Sequence, residues 1–348
     1  MRPAHLARIL ARELAAAAEG THTPLMIWGP PGVGKSQLVA QAAAARGLPL
    51  IDLRLSQLEP SDLRGIPFRS GGRVEWAVPA MLPDAERHGP AGVLFLDEIN
   101  AAPPVVSAAA YQLILDRRLG DYRVPEGWAI LAAGNREGDR GVTFAMPAPL
   151  ANRFAHLELE PHLDDWVAWA EQGGIDPRII GFLRFRPDLL FAFDPEHSLT
   201  AFPTPRSWAF ASAALAKFGD DEALLEAALA GCVGQAAAAE LMAFLRLADA
   251  LPDVDAIVRG EEVAVPEGLE LQYALTAALA QRVRARLGEG DGEAAIGHAL
   301  RYAARLPERE LAVMLVADLQ RAAGARLFAH PEFAPWAEAV ADVLLPEG

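Results

Sequence analysis

A short stretch near the start of the chain, Gly29 to Ser36, constrains the possible fold more than any other. Its spacing is G-x-x-x-x-G-K-S, in which the glycines let the backbone turn tightly and aim its N–H groups at a polyphosphate. The apolar run before it, 24–28, predicts a buried strand, and 36–45 after it predicts a helix, whose N-terminus favours anions. We therefore predict a phosphate-binding loop. The predicted nucleotide contacts are Gly29, Pro30, Pro31, Gly32, Val33, Gly34, Lys35 and Ser36.

The use of lysine supports this interpretation. The chain has 31 Lys and Arg residues, yet its only lysines are Lys35 and Lys217. A compact ammonium on a flexible stem can enter a nest of N–H groups, where a planar guanidinium does not substitute freely. We expect Lys35 to reach the β- and γ-phosphates of a nucleotide and Ser36 to ligate Mg²⁺. The alternative is a Gly/Pro-rich turn that binds no ligand.

A second apolar run, 93–96, ends in the acids Asp97 and Glu98. An uninterrupted apolar run predicts a central parallel strand, and ligands bind at the carboxyl ends of such strands. There Asp97 would hold Mg²⁺, and Glu98 would orient and polarise a water that attacks the phosphate. The alternative is a strand followed by a solvated acidic turn.

Two more polar residues are candidates for the same site. The apolar run 129–133 is followed by Asn135, whose amide could position the attacking water. Asn135 could instead be a helix cap or turn residue. Thr204 and Pro205 predict the start of a helix, from which Arg206 could reach an anionic phosphate. Its alternative is a surface arginine on a capped helix.

The order of these elements predicts an α/β fold, an αβα sandwich around a parallel sheet, followed by an all-helical lid and a helical C-terminal region. The predicted boundaries are 1–160, 161–250 and 251–348. Residues 68–76 predict a hairpin that turns at Ser70-Gly71-Gly72. It is either a surface hairpin in which Trp76 covers the core or a functional loop. The Phe- and Leu-rich stretch 182–193 favours a packed helical core over nucleic-acid stacking.

Composition excludes several classes of function. The formal charge of −15 opposes binding to nucleic acid or to an anionic membrane surface. The chain has no apolar run of about 18 residues, so we expect no membrane span. Its one cysteine, Cys232, allows no intramolecular disulfide and suits the reducing cytoplasm. With eight histidines in no close pairing, the sequence shows no zinc site.

Taken in order, these motifs resemble those of AAA+ ATPases over roughly residues 20 to 215. Asp97-Glu98-Ile99-Asn100, followed by proline and a helix, looks most like MoxR-type proteins. The hairpin at 68–76 resembles the helix-2 insert of their clade, and 119–128 resembles its pre-sensor hairpin. That clade also includes CbbQ, magnesium-chelatase motors and replicative helicases. MoxR-type proteins often have arginine after Asp-Glu-Ile-Asn, where this chain has Ala101.

The resemblance implies roles and partners that spacing alone does not. It implies ATP and Mg²⁺ as cofactors, Asn135 as sensor 1, Arg153 as the arginine finger and Arg206 as sensor 2. With Glu98, these would be the catalytic residues. It also implies a homo-oligomeric ring, typically a hexamer, with ATP sites between subunits. The ring would remodel, assemble or activate a protein partner, one with a von Willebrand factor A domain.

Two rival functions remain open at this stage. One is a nucleic-acid motor or restriction-type NTPase, against which the net charge argues. The other is a nucleotide-dependent scaffold without hydrolysis, against which the intact Glu98 argues.

Overall fold

The computed structural model describes residues 1–136, 138–139, 144–194, 200–248, 251–288 and 291–340. The chain divides into two compact units, the first covering Met1–His162 and the second beginning at Leu163. The three-part division predicted from the sequence stays a prediction.

The first unit contains helices, strands and short 3₁₀ turns. Its strands are β1 (Leu25–Trp28), β2 (Leu50–Arg54), β3 (Ile66–Ser70), β4 (Arg73–Ala77), β5 (Ala91–Asp97), β6 (Arg118–Leu119), β7 (Tyr122–Arg123), β8 (Gly127–Gly134) and β9 (Ala155–Glu158). Its helices are α1 (Pro3–Ala18), α2 (Lys35–Ala45), α3 (Pro60–Arg64), α4 (Ala85–His88), α5 (Pro104–Asp116) and α6 (Ala148–Ala151), with 3₁₀ turns at Leu55–Gln57 and Ile99–Ala101.

Five of the strands form one sheet in the order β2-β5-β8-β1-β9. Every neighbouring pair in this sheet is parallel. The register aligns Trp28 with Gly134 on one side and with Glu158 on the other. The carboxyl ends of the central strands therefore meet at one edge, where ligands bind in parallel sheets.

Helices cover the sheet on both faces, because alternate residues of each strand point to opposite sides. On one face, Ile27 and Phe95 pack with Leu10 of α1 and Val39 of α2. On the other, Leu94 and Ile130 pack with residues of α5 such as Leu113. The predicted αβα sandwich around a parallel sheet is thus confirmed.

The predicted hairpin at 68–76 is also present, as the antiparallel pair β3 and β4. Gly71 and Gly72 form its turn with φ of 53° and 84°, the left-handed values that a type I′ turn requires. Trp76 is 47% exposed, so the interpretation in which it covers the core is wrong. A second hairpin pairs β6 with β7, where the sequence from 119 to 128 resembles the pre-sensor hairpin.

The regular elements of the second unit are all helices in its described residues. Its helices are α7 (Leu163–Gln172), α8 (Pro177–Phe185), α9 (Pro205–Phe218), α10 (Glu222–Val233), α11 (Gln235–Ala248), α12 (Val254–Arg259), α13 (Leu269–Leu287), α14 (Gly292–Ala303), α15 (Arg309–Ala323), α16 (Ala325–Ala329) and α17 (Phe333–Ala339), with a 3₁₀ turn at Pro187–Leu190. No helix in the described part of the chain is both long and apolar enough to span a membrane.

Two hydrophobic clusters stabilise this unit. One is built around Phe182 and Trp208, which confirms that the Phe-rich stretch packs as core. The other is built around residues such as Leu300 and Leu315. Helix α13 belongs to both, since Ala277 lies in the first cluster and Leu279 in the second.

A buried ion pair joins two helices of the second unit. Both terminal nitrogens of Arg184 on α8 donate to the carboxylate of Asp318 on α15, at 2.5 and 2.6 Å. Asp318 is 1% exposed and also accepts from Arg321. Glu171 of α7 lies 3.6 Å from Arg184 and balances the extra positive charge. Each buried charge therefore has a partner, as burial requires.

We expect Arg184→Ala to lower the free energy of unfolding by about 3–5 kcal/mol, because Asp318 loses its bidentate partner while staying buried. Arg246→Ala is the matched control, since it breaks the 2.7 Å pair with Glu222, in which both side chains are 63% exposed. That change should cost at most about 1 kcal/mol. Urea denaturation followed by circular dichroism measures both, and equally small losses would contradict a stabilising buried pair.

Candidate functional site

The predicted phosphate-binding loop connects β1 to α2. Gly32 and Gly34 have φ of 77° and 103°, which side chains with a Cβ rarely adopt. At Gly29 a Cβ would lie 2.8 Å from the carbonyl oxygen of Leu159, the residue after β9. The loop therefore approaches the backbone there too closely for a larger residue. The N-terminal N–H groups of α2, which lack helical partners, lie at the end of the loop.

Lys35 is a buried cation at the centre of the site. Its Nζ donates to the carbonyl oxygens of Gly29 at 2.6 Å and Pro30 at 3.1 Å. It also donates to Oδ1 of Asn135 at 2.9 Å. Asn135 directly follows β8, so the register of the sheet brings together two predicted site residues that are 100 positions apart.

Ser36 and Asp97 form the second contact across the site. The Oγ of Ser36 donates to Oδ2 of Asp97 at 2.6 Å, and Asp97 is the last residue of β5. A hydroxyl and a carboxylate are hard oxygen donors of the kind that Mg²⁺ prefers. Among the described residues, no group of three or more His, Cys, Asp or Glu could hold a metal. Two protein ligands nevertheless fit Mg²⁺, which usually keeps waters and takes substrate phosphates as further ligands.

Glu98 has a conformation unusual for a residue other than glycine. Its φ is 56°, in the left-handed region, and its N–H donates to Oδ1 of Asp97 at 2.9 Å. Its carboxylate accepts a hydrogen bond from Ser56, which follows β2. On β2, partial burial raises the pKa of the Asp52 carboxyl, and repulsion from Asp97 and Glu98 raises it further. Negative charge therefore accumulates at these strand ends, which favours a bound cation.

Sequence reasoning missed Asn100. Its Nδ2 donates to the carbonyl oxygen of Asn135 at 2.8 Å, and its Oδ1 accepts from the N–H of Asn135 at 3.2 Å. A Cβ at Gly134 would lie 2.5 Å from that Oδ1, so a larger residue there would displace the Asn100 amide. The one available signal was its place in Asp97-Glu98-Ile99-Asn100, a motif that supports the family resemblance but by itself assigns Asn100 no role.

Ser56 and Arg136 were also missed. Ser56 lies just beyond β2, and only the pairing of β2 with β5 brings it to Glu98. Arg136 donates hydrogen bonds to Asp139 and to Glu158. Both raise the pKa of its guanidinium, and the hydrogen bond to Asp139 has the larger effect. The guanidinium of Arg136 therefore links Asp139 to Glu158 of β9.

The two predicted arginines lie outside these contacts. Arg153 is exposed between α6 and β9, and its guanidinium forms no ion pair with any described residue. Arg206 belongs to the second unit, where Thr204 caps α9 by accepting from the N–H of Ser207 at 3.0 Å. The predicted helix start is confirmed, and Arg206 is exposed. The contacts of both arginines with a nucleotide stay predictions.

Comparison with known proteins identifies the first unit. Residues 24–154 match the family model described as AAA domain (dynein-related subfamily). Protein NorQ of Paracoccus denitrificans (strain Pd 1222) is 27% identical over 179 residues, which cover 48% of this chain and 65% of NorQ. Midasin of Giardia intestinalis is 28% identical over 155 residues, covering 41% of this chain and 3% of midasin. The chain thus matches less than two thirds of the length of either relative.

Among solved structures, NtrX from Brucella abortus in complex with ATP aligns at a TM-score of 0.40 with 18% identity, over 97% of this chain and 68% of NtrX. That score is too low to support a conclusion. The family match is separate from this structural comparison. It covers residues 24–154, which begin just before β1 and end just before β9. The segment contains the described hydrogen bonds of Lys35 and Asp97. Residues 24–154 of this chain therefore match the AAA domain of the dynein-related subfamily, and the chain is similar to protein NorQ.

Proposed function

We propose that this chain hydrolyses ATP and uses the energy to remodel, assemble or activate a protein partner. One observation carries the proposal: Lys35 contacts Asn135 while the adjacent Ser36 contacts Asp97. The phosphate-binding loop is thereby hydrogen-bonded to the end of β5, at Asp97, and to the residue after β8, Asn135. This combination supplies a cation for the phosphates, ligands for Mg²⁺ and polar groups for an attacking water.

Each residue of this cluster has a role in the proposed reaction. The ammonium of Lys35 pairs with the β- and γ-phosphates, and Ser36 and Asp97 would hold Mg²⁺ beside them. Bound Mg²⁺ neutralises charge on the transferred phosphoryl group. The carboxylate of Glu98 orients the attacking water and accepts its proton, while the amide of Asn135 positions that water or the γ-phosphate.

The proposal extends to a homo-oligomeric ring in the cytoplasm, typically a hexamer. In its support, Arg153 is exposed and unpaired among the described residues, so its guanidinium is available to a neighbouring subunit. Arg206 is also exposed and is proposed as sensor 2. A partner with a von Willebrand factor A domain is proposed from the family resemblance. The charge of −15 supports a protein partner over a nucleic acid.

Asn100 acts as a positioning residue in this proposal. Asn100→Ala should lower kcat for ATP hydrolysis about 10- to 100-fold, because about 1–3 kcal/mol of hydrogen bonding no longer holds Asn135. Its KM for ATP should change by less than about threefold, since Lys35 remains. The control is Ser107→Ala, which removes a buried hydrogen bond to Ala102 in the same segment. If both variants lost the same activity, Asn100 would have only a structural role.

Mixing two inactive variants tests shared sites in the ring. Arg153→Ala should slow hydrolysis about 10³–10⁵-fold, the usual effect of losing an arginine finger. Glu98→Gln should slow it about 10²–10⁴-fold through loss of acid–base help. After subunit exchange, an Arg153→Ala subunit keeps Lys35, Asp97 and Glu98, and its Glu98→Gln neighbour supplies an intact Arg153. Each such interface is complete, so ATPase activity should recover.

The control replaces the Arg153→Ala protein with the double variant Glu98→Gln/Arg153→Ala. Mixed with Glu98→Gln, it can form no complete site and should recover nothing. Failure of the first mixture to recover, with subunit exchange confirmed by fluorescence energy transfer, would exclude a shared site.

A further inference from the structure

The hairpin of β3 and β4 exposes more apolar surface than a solvated hairpin needs. Ile66 and Val74 are each 68% exposed, and Phe68 and Trp76 are each 47% exposed. Val78 and Met81 continue this surface beyond β4. Val74 and Trp76 lie on one face of the hairpin and Ile66 and Phe68 on the other, and exposed apolar side chains clustered on one small element mark an interaction site.

The register of the hairpin separates its two faces. Pro67 pairs with Trp76 and Arg69 pairs with Val74, so these four side chains share one face. We call it the Trp76 face. The opposite face carries both Arg73 and Glu75, whose charges offset each other. The Trp76 face has one charged residue, the cation Arg69.

A pocket adjoins the Trp76 face. It has a volume of about 230 Å³ and is lined by Arg64 of α3, Trp76, Gln112 of α5, and Leu119 and Gly120 of the second hairpin. This volume is below the ~300–1,000 Å³ of typical small-molecule sites. The pocket therefore fits a side chain presented by a larger partner better than it fits a whole ligand.

The charges around this pocket are positive and uncompensated. Neither Arg64 nor Arg69 forms an ion pair with any described carboxylate, and no acid lines the pocket. This contrasts with the formal charge of −15 for the whole chain. Arginines elsewhere, such as Arg136 and Arg178, pair with nearby acids. A pocket that combines Trp76 and Leu119 with the unpaired guanidinium of Arg64, beside a face that carries Arg69, is complementary to an apolar side chain with carboxylates nearby.

We propose that the Trp76 face and its pocket bind an acidic, aliphatic segment of the protein partner. An aliphatic side chain of the segment enters the pocket against Trp76 and Leu119. Neighbouring carboxylates pair with Arg64 and Arg69. This inference rests on the proposed function, since it names the chemistry of the protein segment on which the ATPase acts.

Single-stranded nucleic acid is the competing occupant, because bases stack on aromatic rings between cations. The structure favours the protein segment. Beside Trp76, the Trp76 face carries the aliphatic Val74 and the pocket carries Leu119, and neither side chain offers bases a ring to stack on.

The test measures fluorescence anisotropy of labelled probes with the full chain at physiological salt. The probes are peptides of alternating Glu and Leu, of Lys and Leu, and of Glu and Ser, and an oligothymidine of matched length. The Glu/Leu peptide should bind at least about tenfold more tightly than the others, a difference of about 1.4 kcal/mol. Trp76→Ser and Arg64→Gln should each weaken its binding by about tenfold or more.

Phe210→Ser is the matched control, because Phe210 is also an exposed aromatic residue, at 58%, but lies on α9. It should leave the affinity unchanged. The proposal is overturned if the Glu/Leu peptide fails to bind, if the Lys/Leu peptide or oligothymidine binds as tightly, or if both hairpin variants keep full affinity. Basal ATP hydrolysis is measured separately, and Trp76→Ser should not change it. A chain that binds the peptide without hydrolysing ATP would therefore refute the proposed function alone.

Discussion

The parallel register of β1, β5 and β8 is the constraint on which the whole candidate site depends. Because these strands run side by side in one direction, the loop after Trp28, the acids at Asp97 and Glu98, and the amide of Asn135 meet at one edge of the sheet. Direct hydrogen bonds join these strand ends, because the ammonium of Lys35 donates to Asn135 and the hydroxyl of Ser36 donates to Asp97. The helices on both faces keep that register fixed by burying alternate strand residues.

Local features of the site could be predicted from the sequence, since each depends on neighbouring residues. A few neighbouring positions determine each of them: the loop glycines, the apolar runs before Asp97 and Asn135, and the cap at Thr204. Contacts between distant segments could not be predicted. Asn100 reaches Asn135 across 35 positions, and Ser56 reaches Glu98 across 42. Neither pair shows periodicity or spacing that would join its members before the sheet is assembled.

The same limit applies away from the site. The sequence predicted a helical second part, but the pairing of Arg184 with Asp318 joins residues 134 positions apart. The hairpin at 68–76 was predicted from its Gly-Gly turn, whereas the sequence left open whether Trp76 covers the core. Whether an aromatic side chain of a hairpin covers a core depends on what lies beneath it, and a strand pattern does not contain that information.

The most direct test of the central claim is a structure of the Glu98→Gln chain determined with ATP and Mg²⁺. The account predicts that the triphosphate lies along the N–H groups of residues 32–36, with Lys35 Nζ on the β- and γ-phosphate oxygens. It also predicts that the Oγ of Ser36 ligates Mg²⁺ and that Asp97 holds the ion directly or through water. A triphosphate bound away from this loop, or no bound nucleotide at saturating ATP, would contradict it.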